Sequence, residues 1–182
     1  MVTMKIEAAA LAEVMKTAKR VCKKSRFSEI AVINNVDAAE FMITDGIELY
    51  VYRIPAQFDR EEGDMCLPVF DVPKLGTTAI EFKGETVTIH NYEQTIRKHV
   101  ANNAPISLDW HKFVDDIRNE ELNSSEITID STIDSNRFAN ALKAFNGEPV
   151  KIEFGRTMTP FMVSNNDESV IAFICPMKPR KV

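Results

Sequence analysis

The sequence predicts an α+β fold, in which repeated strand–helix–strand units combine antiparallel sheets with helices on one face. Two observations predict it. Apolar residues pass from the alternating spacing of strands to the three- and four-residue spacing of helices, and the order strand, helix, strands occurs three times in 182 residues. Short turn signals separate the strands, and Asp45-Gly46 between two apolar runs is typical of a hairpin, which pairs its strands antiparallel.

The first unit begins with a short half-buried strand, in which Met4, Ile6 and Ala8 alternate with Lys5 and Glu7. A helix follows, because the next apolar residues recur at the spacing of one helical face. They are Leu11, Val14, Met15, Ala18, Val21 and Cys22. Runs rich in Ile and Val then predict three strands, at Glu29–Val36, Glu40–Thr44 and Ile47–Ile54.

The second unit repeats this order with a stunted helix. Met65, Leu67 and Val69 alternate as a strand, and Phe70–Leu75 has room for about one helical turn because Pro73 interrupts it. Strands are predicted after it at Thr78–Lys83, Thr86–Asn91 and Thr95–Val100. We therefore expect residues 1–104 to form one domain of two units, followed by a linker at 105–125 with a helix over Asp109–Leu122, and a C-terminal unit at 126–182.

The C-terminal unit has the same order again. A strand is predicted at Glu126–Ile133, and Asp134 or Ser135 can cap a helix over Asn136–Phe145 that Asn146-Gly147 ends. Strands follow at Val150–Phe154, Pro160–Val163 and Val170–Cys175. An internal echo supports repetition, since Ile6, Leu11, Met15 and Lys16 align at one constant offset with Ile133, Phe138, Leu142 and Lys143.

The charge of the chain is unevenly distributed. The net charge is −5, which by itself disfavours a nucleic-acid partner. Six basic residues nevertheless fall between Val14 and Ser28 with no acidic residue among them, and without them 16 basic residues stand against 27 acidic ones. Because phosphate binding responds to the local field, a basic patch on an acidic protein is compatible with DNA binding.

Several segments resemble the bacterial DNA polymerase III beta sliding-clamp family. In the C-terminal part, Arg137–Phe145, Glu148–Phe154 and Ile171–Lys178 are similar to a family helix of the type LLDALKAL, a strand like VRIEL and a chain end near YVIMPMRL. Nearer the N-terminus, Thr44–Leu49 resembles the TDLE segment of the family, with glycine where leucine is usual, and Leu67–Phe70 resembles its LPAKLL segment.

The resemblance implies a DNA-clamp fold, in which helices line a channel and sheets form the outside. It implies a processivity factor that encircles or grips duplex DNA without base specificity and tethers polymerase, repair or other clamp-binding-motif proteins, with a clamp loader as a further partner. Family members are about twice as long and have three domains of two units each. A ring of twelve units would take four chains of this type, or three if residues 105–125 contain a fourth unit, and so we expect a homo-oligomer.

A channel needs cationic side chains that face phosphates loosely. The basic residues of the first helix fall opposite its apolar stripe, and the resemblance implies that they contact DNA, together with two residues of the later helix. The candidates are Lys16, Lys19, Arg20, Lys23, Lys24 and Arg26, with Arg137 and Lys143 from the later helix. The alternative is that these lysines and arginines form an ordinary solvated helix face.

The family also binds short linear peptides with its C-terminal strand. Phe173, Ile174, Pro176 and Met177 match those positions, and a flexible methionine suits a site that accepts varied peptides. The alternative is that these residues only border the core, since the family pocket also needs walls from a middle domain that we do not expect in this chain.

Enzymatic activity, a cofactor and a metal site are not expected. The sequence contains no Gly-rich phosphate loop and no HExxH or GxSxG motif, and His90, His99 and His111 are not at metal-ligand spacing. The carboxylate pairs at 115–116 and 120–121 fit a solvated helix face. Cys22, Cys66 and Cys175 are far apart and form no CxxC pair, which is typical of reduced, mostly buried thiols.

No apolar run is long enough to span a bilayer and no signal-like block follows Met1, so we expect a cytoplasmic protein with no membrane partner. A second hypothesis comes from another class. The acidic remainder of the chain also fits a protein-interaction module, of phage or mobile-element origin, that mimics or binds a host clamp and hardly contacts DNA.

Overall fold

The computed structural model describes residues 1–24, 29–35, 37–60, 63–73, 75–92, 94–100, 109–122, 132–154 and 159–177. Its residues divide into two compact units. The first unit comprises Met1–Asp45 with Val51–Ser107, and the second comprises Gly46–Tyr50 with Leu108–Val182.

The described residues of the first unit form one α-helix and eight strands, of which the fourth begins in the second unit. In chain order they are β1 Val2–Glu7, α1 Ala8–Val21, β2 Glu29–Asn35, β3 Ala38–Thr44, β4 Glu48–Phe58, β5 Met65–Pro68, β6 Thr77–Lys83, β7 Thr86–His90 and β8 Thr95–His99. The strand order is β5-β2-β3-β4-β1-β6-β7-β8, and β1 pairs antiparallel with both β4 and β6. This arrangement confirms the predicted α+β fold with antiparallel strands.

The register of these strands places one apolar face under α1. Met4 lies opposite Phe58 on β4 and opposite Ile80 on β6, and Ile80 in turn lies opposite Ile89 on β7. Thr17 of α1 meets Tyr52 on the same side of β4, with 2.6 Å between the two buried hydroxyl oxygens. The helix therefore covers the side of the sheet to which every second residue of β1 points.

In the second repeat of the first unit, the part of the chain that the structure describes contains no helix. The described residues between β5 and β6 form no helical turn, although Phe70–Leu75 was predicted to hold one. Gly76 has a left-handed backbone with φ of 89°, and its carbonyl accepts a hydrogen bond of 2.9 Å from the Ala8 amide. Pro73 and this turn leave too short a run for a hydrogen-bonded helix.

Within the second unit, the residues that the structure describes form two α-helices and three strands. They are α2 Trp110–Leu122, α3 Ser135–Leu142, β9 Lys151–Glu153, β10 Phe161–Ser164 and β11 Val170–Ile174. β10 pairs antiparallel with β9 and with β11, and β11 also pairs with β4, whose first residues belong to this unit. The strand predicted at Glu126–Ile133 lies outside the described residues except for Thr132 and Ile133, and the Thr132 carbonyl accepts a 2.8 Å hydrogen bond from the Met177 amide.

The predicted ends of α3 are confirmed. The Asp134 side chain accepts hydrogen bonds from the amides of Asn136 at 2.8 Å and Arg137 at 3.2 Å, which satisfies two otherwise unpaired donors of the first turn. A 3₁₀ turn, Lys143–Phe145, follows the helix, and Asn146 then takes a left-handed conformation with φ of 50°. The polar side chains of this segment thus fix where the helix begins and ends.

Helix α2, predicted as part of a linker, packs within the second unit. Its residues Trp110 and Ile117 are buried, and the Phe113 ring lies 5.9 Å from the Phe173 ring of β11. Arg118 forms ion pairs with Glu153 of β9, at 3.2 Å, and with Glu168. Whether residues 1–104 and 126–182 fold as separate domains joined by 105–125 stays a prediction.

Candidate nucleic-acid interface and peptide-binding strand

Helix α1 separates an apolar face from a cationic face, as its spacing predicts. Leu11, Val14 and Ala18 have no exposed surface, so the helix is anchored by burial. The side chains of Lys16 and Lys19 are 64% and 46% exposed on the other side. Lys23, in the 3₁₀ turn Cys22–Lys24 after the helix, is exposed as well. Three of the predicted cations therefore lie on one accessible surface, which we call the α1 cationic face: Lys16, Lys19 and Lys23.

Acidic neighbours accompany two of these lysines. The Lys16 ammonium lies 3.3 Å from a carboxylate oxygen of Glu13, one helical turn away. The Lys19 ammonium contacts the carboxylate of Asp71, which is 94% exposed and comes from the segment after β5. Exposed ion pairs contribute about 0–1 kcal/mol, so either carboxylate can give way to another anion.

Arg20 is less accessible than the lysines. It lies near the hydroxyl of Tyr52 on β4, whose pKa is raised by burial and lowered in part by the hydrogen bond with Thr17 and by the positive charge of Arg20. The guanidinium is thus placed against the sheet. The remaining predicted contacts of this segment, the Lys24 side chain and the whole of Arg26, lie outside the described residues.

The two basic residues of the second unit have different surroundings. The Arg137 guanidinium lies 3.0 Å from a carboxylate oxygen of the buried Glu48, and the Tyr50 hydroxyl donates to the other oxygen at 2.6 Å. This contact commits the Arg137 charge to a partner inside the unit. Lys143 is exposed, and its ammonium donates to the Asn140 side chain at 3.1 Å. Lys143 is therefore the accessible member of the pair.

The predicted peptide-binding strand is divided between core and surface. Phe173 and Ile174 are 3% and 0% exposed, and by register they lie opposite Met162 and Phe161 of β10. Pro176 is half-buried and Met177 is 39% exposed. The burial of Phe173 and Ile174 supports the alternative that they belong to the core. Pro176 and Met177 keep exposed surface that a partner can reach.

Two residues near the α1 cationic face were not predicted. Lys98 of β8 lies by register on the helix side of the sheet, since it is opposite Val87, which is opposite Phe82. Its ammonium donates to the Val69 carbonyl at 3.0 Å. The alternating pattern of β8 could have placed Lys98 on that side, but no sequence signal links Asp71 to Lys19, 52 residues away.

The described part of the chain holds no group of three or more His, Cys, Asp or Glu side chains arranged to bind a metal ion. None of the described helices combines the length and the apolar character needed to cross a bilayer.

No protein-family model and no curated protein sequence matches the chain. Solved structures do match. A putative DNA polymerase III beta subunit from Eubacterium rectale is 11% identical with a TM-score of 0.74, over 97% of this chain and 65% of that one. The beta subunit from Thermotoga maritima is 11% identical with a TM-score of 0.73, over 98% and 66%. A Helicobacter pylori beta clamp bound to a DNA ligase peptide is 14% identical with a TM-score of 0.67, over 97% and 65%.

The match runs through almost the whole of this chain but leaves about a third of each clamp uncovered, so the chain spans 65% of the length of the Eubacterium rectale protein. At 11–14% identity the likeness concerns the fold. The chain has the fold of the DNA polymerase III beta subunits, the bacterial sliding clamps.

Proposed function

We propose that this protein is a sliding-clamp-like processivity factor that encircles or grips duplex DNA without base specificity and tethers polymerase or repair proteins to it. The observation that carries the proposal is the α1 cationic face, presented by a helix whose opposite face is fully buried, in a chain with a clamp fold. The proposed location is the cytoplasm, where replication of bacterial DNA takes place.

The chemistry of this face suits a sliding contact. Lysine ammonium groups on flexible stems attract phosphates as point charges and impose no fixed geometry. The nearby carboxylates of Glu13 and Asp71 already engage Lys16 and Lys19, so each phosphate contact replaces a weak ion pair. Such contacts hold the DNA nearby and exchange readily, and none of them reads a base.

Encirclement requires more than one chain. Strands β5 and β8 end the strand order of the first unit, and an end strand can pair with a strand of another subunit. We propose a homo-oligomer that closes through such edges, of three or four subunits. Light scattering at high protein concentration tests this, and a strict monomer would remove the encircling form of the proposal while leaving a gripping form.

Partner tethering would involve the end of the described chain. A Helicobacter pylori beta clamp with the same fold binds a DNA ligase peptide. By analogy we propose that clamp-binding-motif peptides contact the accessible pair Pro176 and Met177. Because Phe173 and Ile174 are buried, we propose that they pack beneath the accessible pair and do not contact the peptide themselves.

A second candidate function is a protein-interaction module that mimics or binds a host clamp. The observation in its favour is charge: the protein carries −5 overall, and two of the three lysines of the α1 cationic face have acidic neighbours. Pull-down from a bacterial lysate separates the candidates. Recovery of clamp or polymerase subunits by a protein with no DNA affinity would favour the module.

The test of DNA binding is a charge reversal with a matched control. The variant K16E/K19E/K23E changes the α1 cationic face. The control K5E/R53E/K83E makes the same change in net charge at three exposed residues, which alternate with buried neighbours and so lie on the other side of the sheet. Fluorescence anisotropy with a linear duplex is measured at two salt concentrations.

We expect the α1 variant to lose DNA binding and the control to keep most of it. The log–log salt dependence should flatten by up to about 0.9 for each lost phosphate contact, and by less at Lys16 and Lys19, where a phosphate contact frees a carboxylate. Equal losses in both variants would mean that net charge alone matters, and the α1 cationic face would then be an ordinary solvated surface.

A further inference from the structure

One short segment of the first unit is approached by lysines from two different elements. Lys19 reaches it from α1 and contacts the carboxylate of Asp71. Lys98 reaches it from β8 and donates to the carbonyl of Val69, two residues earlier, at 3.0 Å. The segment lies where the second repeat lacks a helix, so a sheet lysine extends to the same side as the helix lysines.

The two positive charges act on the same carboxylate. The hydrogen bond and the charge of Lys19 lower the pKa of the Asp71 carboxyl, and the charge of Lys98 lowers it further. Asp71 is therefore an anion at neutral pH. At 94% exposure, its carboxylate is held by these charges and by no surrounding packing.

From this geometry we infer that Lys19 and Lys98 form a phosphate subsite on the DNA-facing side, and that Asp71 occupies it as an internal anion which the DNA backbone must displace. The inference rests on the proposed DNA-binding function and adds to it a residue, Lys98, and a means of regulation. A carboxylate and a backbone phosphate both present anionic oxygens to ammonium groups, so the contact that Asp71 makes shows which chemistry the subsite accepts.

The internal anion has a specific consequence for salt dependence. A lysine that neutralises a DNA phosphate releases cations condensed on the DNA, which makes binding sensitive to salt. When DNA displaces Asp71, the freed carboxylate attracts a cation in turn, which offsets part of that release. The carboxylate therefore weakens DNA binding and also reduces its salt dependence, which keeps the grip loose enough for sliding.

The test compares D71N with D64N, which makes the same charge change at another exposed aspartate of the first unit. We expect D71N to bind duplex DNA about fivefold more tightly, the effect of removing one unit charge at about 4 Å from a phosphate in water. Its log–log salt slope should steepen by up to about 0.9. D64N should change neither value appreciably, and adding K98Q to D71N should remove most of the gain.

A second readout does not depend on DNA. Inorganic phosphate is titrated into each protein while the side-chain ammonium NMR signals of Lys19 and Lys98 are followed at low temperature. We expect phosphate to shift both signals in D71N and to shift them less in the wild type. In D71N/K98Q, phosphate should no longer shift the Lys19 signal. Because Asp71 is exposed, the substitution should leave the fold unchanged, which circular dichroism checks.

The outcomes separate the subsite from the proposed function. If D71N behaves like D64N in both assays while the wild type binds DNA, the subsite is refuted and the clamp proposal stands. If phosphate shifts both lysines in D71N but no variant binds DNA, the subsite stands and the clamp proposal fails. If neither phosphate nor DNA binds any variant, both are refuted.

Discussion

Replacement of Arg137 by methionine should destabilise the second unit and should affect stability more than DNA binding. Arg137 is 27% exposed and pairs with Glu48, whose side chain is 9% exposed. Methionine keeps the length of the side chain and removes the charge, so a nearly buried carboxylate loses its cation. Breaking a fully buried pair costs about 3–5 kcal/mol, and the partial exposure of Arg137 reduces our expectation to about 2–3 kcal/mol.

The assay is urea unfolding followed by tryptophan fluorescence. The chain has one tryptophan, Trp110, which is 7% exposed and belongs to the second unit, so its signal reports on that unit. The matched control is K143M, because Lys143 is exposed in the 3₁₀ turn after the same helix and should shift stability by about 0.5 kcal/mol or less. The double variant E48Q/R137M should recover part of the loss, since a neutral amide is less costly to bury than an unpaired carboxylate. Equal midpoints for R137M and the wild type, with weaker DNA binding in R137M, would refute the structural role and restore Arg137 as a DNA contact.

Three further predictions concern the core, acid stability and the thiols. F173A should lower the free energy of unfolding by about 3–5 kcal/mol because Phe173 is buried. M177A should lower it by about 0.5 kcal/mol and weaken capture of a clamp-binding-motif peptide, and a larger loss for M177A than for F173A in urea unfolding would contradict the burial. Burial raises the pKa of Glu153, but hydrogen bonds and charges of Arg118 and Lys151 outweigh it and leave the pKa below the usual range. The ionised Glu153 carboxylate therefore stabilises the folded state above its unfolded-state pKa, and this stabilisation is lost as the pH falls through its folded-state pKa. E153Q should make the unfolding free energy, followed by Trp110 fluorescence, depend less steeply on pH in the acid range, and an unchanged dependence would argue against this role. Burial, with smaller effects from nearby acids, raises the pKa of Cys22 and of Cys66 to about 11, so iodoacetamide should label both about a hundredfold more slowly than a free thiol, as mass spectrometry can measure.

Local elements could be predicted because their signals are local. The spacing of Leu11, Val14 and Met15 fixes the buried face of α1, and Asp134 with Asn146 fixes the ends of the later helix and its 3₁₀ extension. The hairpin at Asp45-Gly46 likewise sets where β3 ends and β4 begins. Each of these features depends on residues within a few positions of one another.

The contacts that decide the site are not local. Glu48 and Arg137 are 89 residues apart, and Lys19 and Asp71 are 52 apart, so only the tertiary fold brings them together. Helical spacing indicated that Arg137 is a cation on the later helix, but it could not show that the buried carboxylate of Glu48 lies beside it. The resemblance likewise indicated Phe173 as a peptide contact, and its packing against Phe113 depends on the position of α2, which lies far from β11 in the sequence.

The sequence also could not show which groups occupy the place of the missing helix. Pro73 and Gly76 predict that the helix is short, and the structure shows that their segment instead supplies Asp71 and the Val69 carbonyl to two lysines. Which side chain fills such a gap depends on the register of β8 with β7, since a shift of one residue would turn Lys98 to the other side of the sheet.

The central claim, a topological hold on DNA through the α1 cationic face, is tested most directly by retention on circular duplex. The protein is placed on nicked circular DNA, by a clamp loader or by crosslinking the oligomer around it, and the fraction that stays bound is measured by gel filtration before and after the DNA is cut. We expect the wild type to remain on the circle at moderate salt and to leave when the DNA becomes linear, and K16E/K19E/K23E to be retained poorly. Retention of K16E/K19E/K23E at the wild-type level, or wild-type binding that is the same on circular and linear DNA, would contradict it.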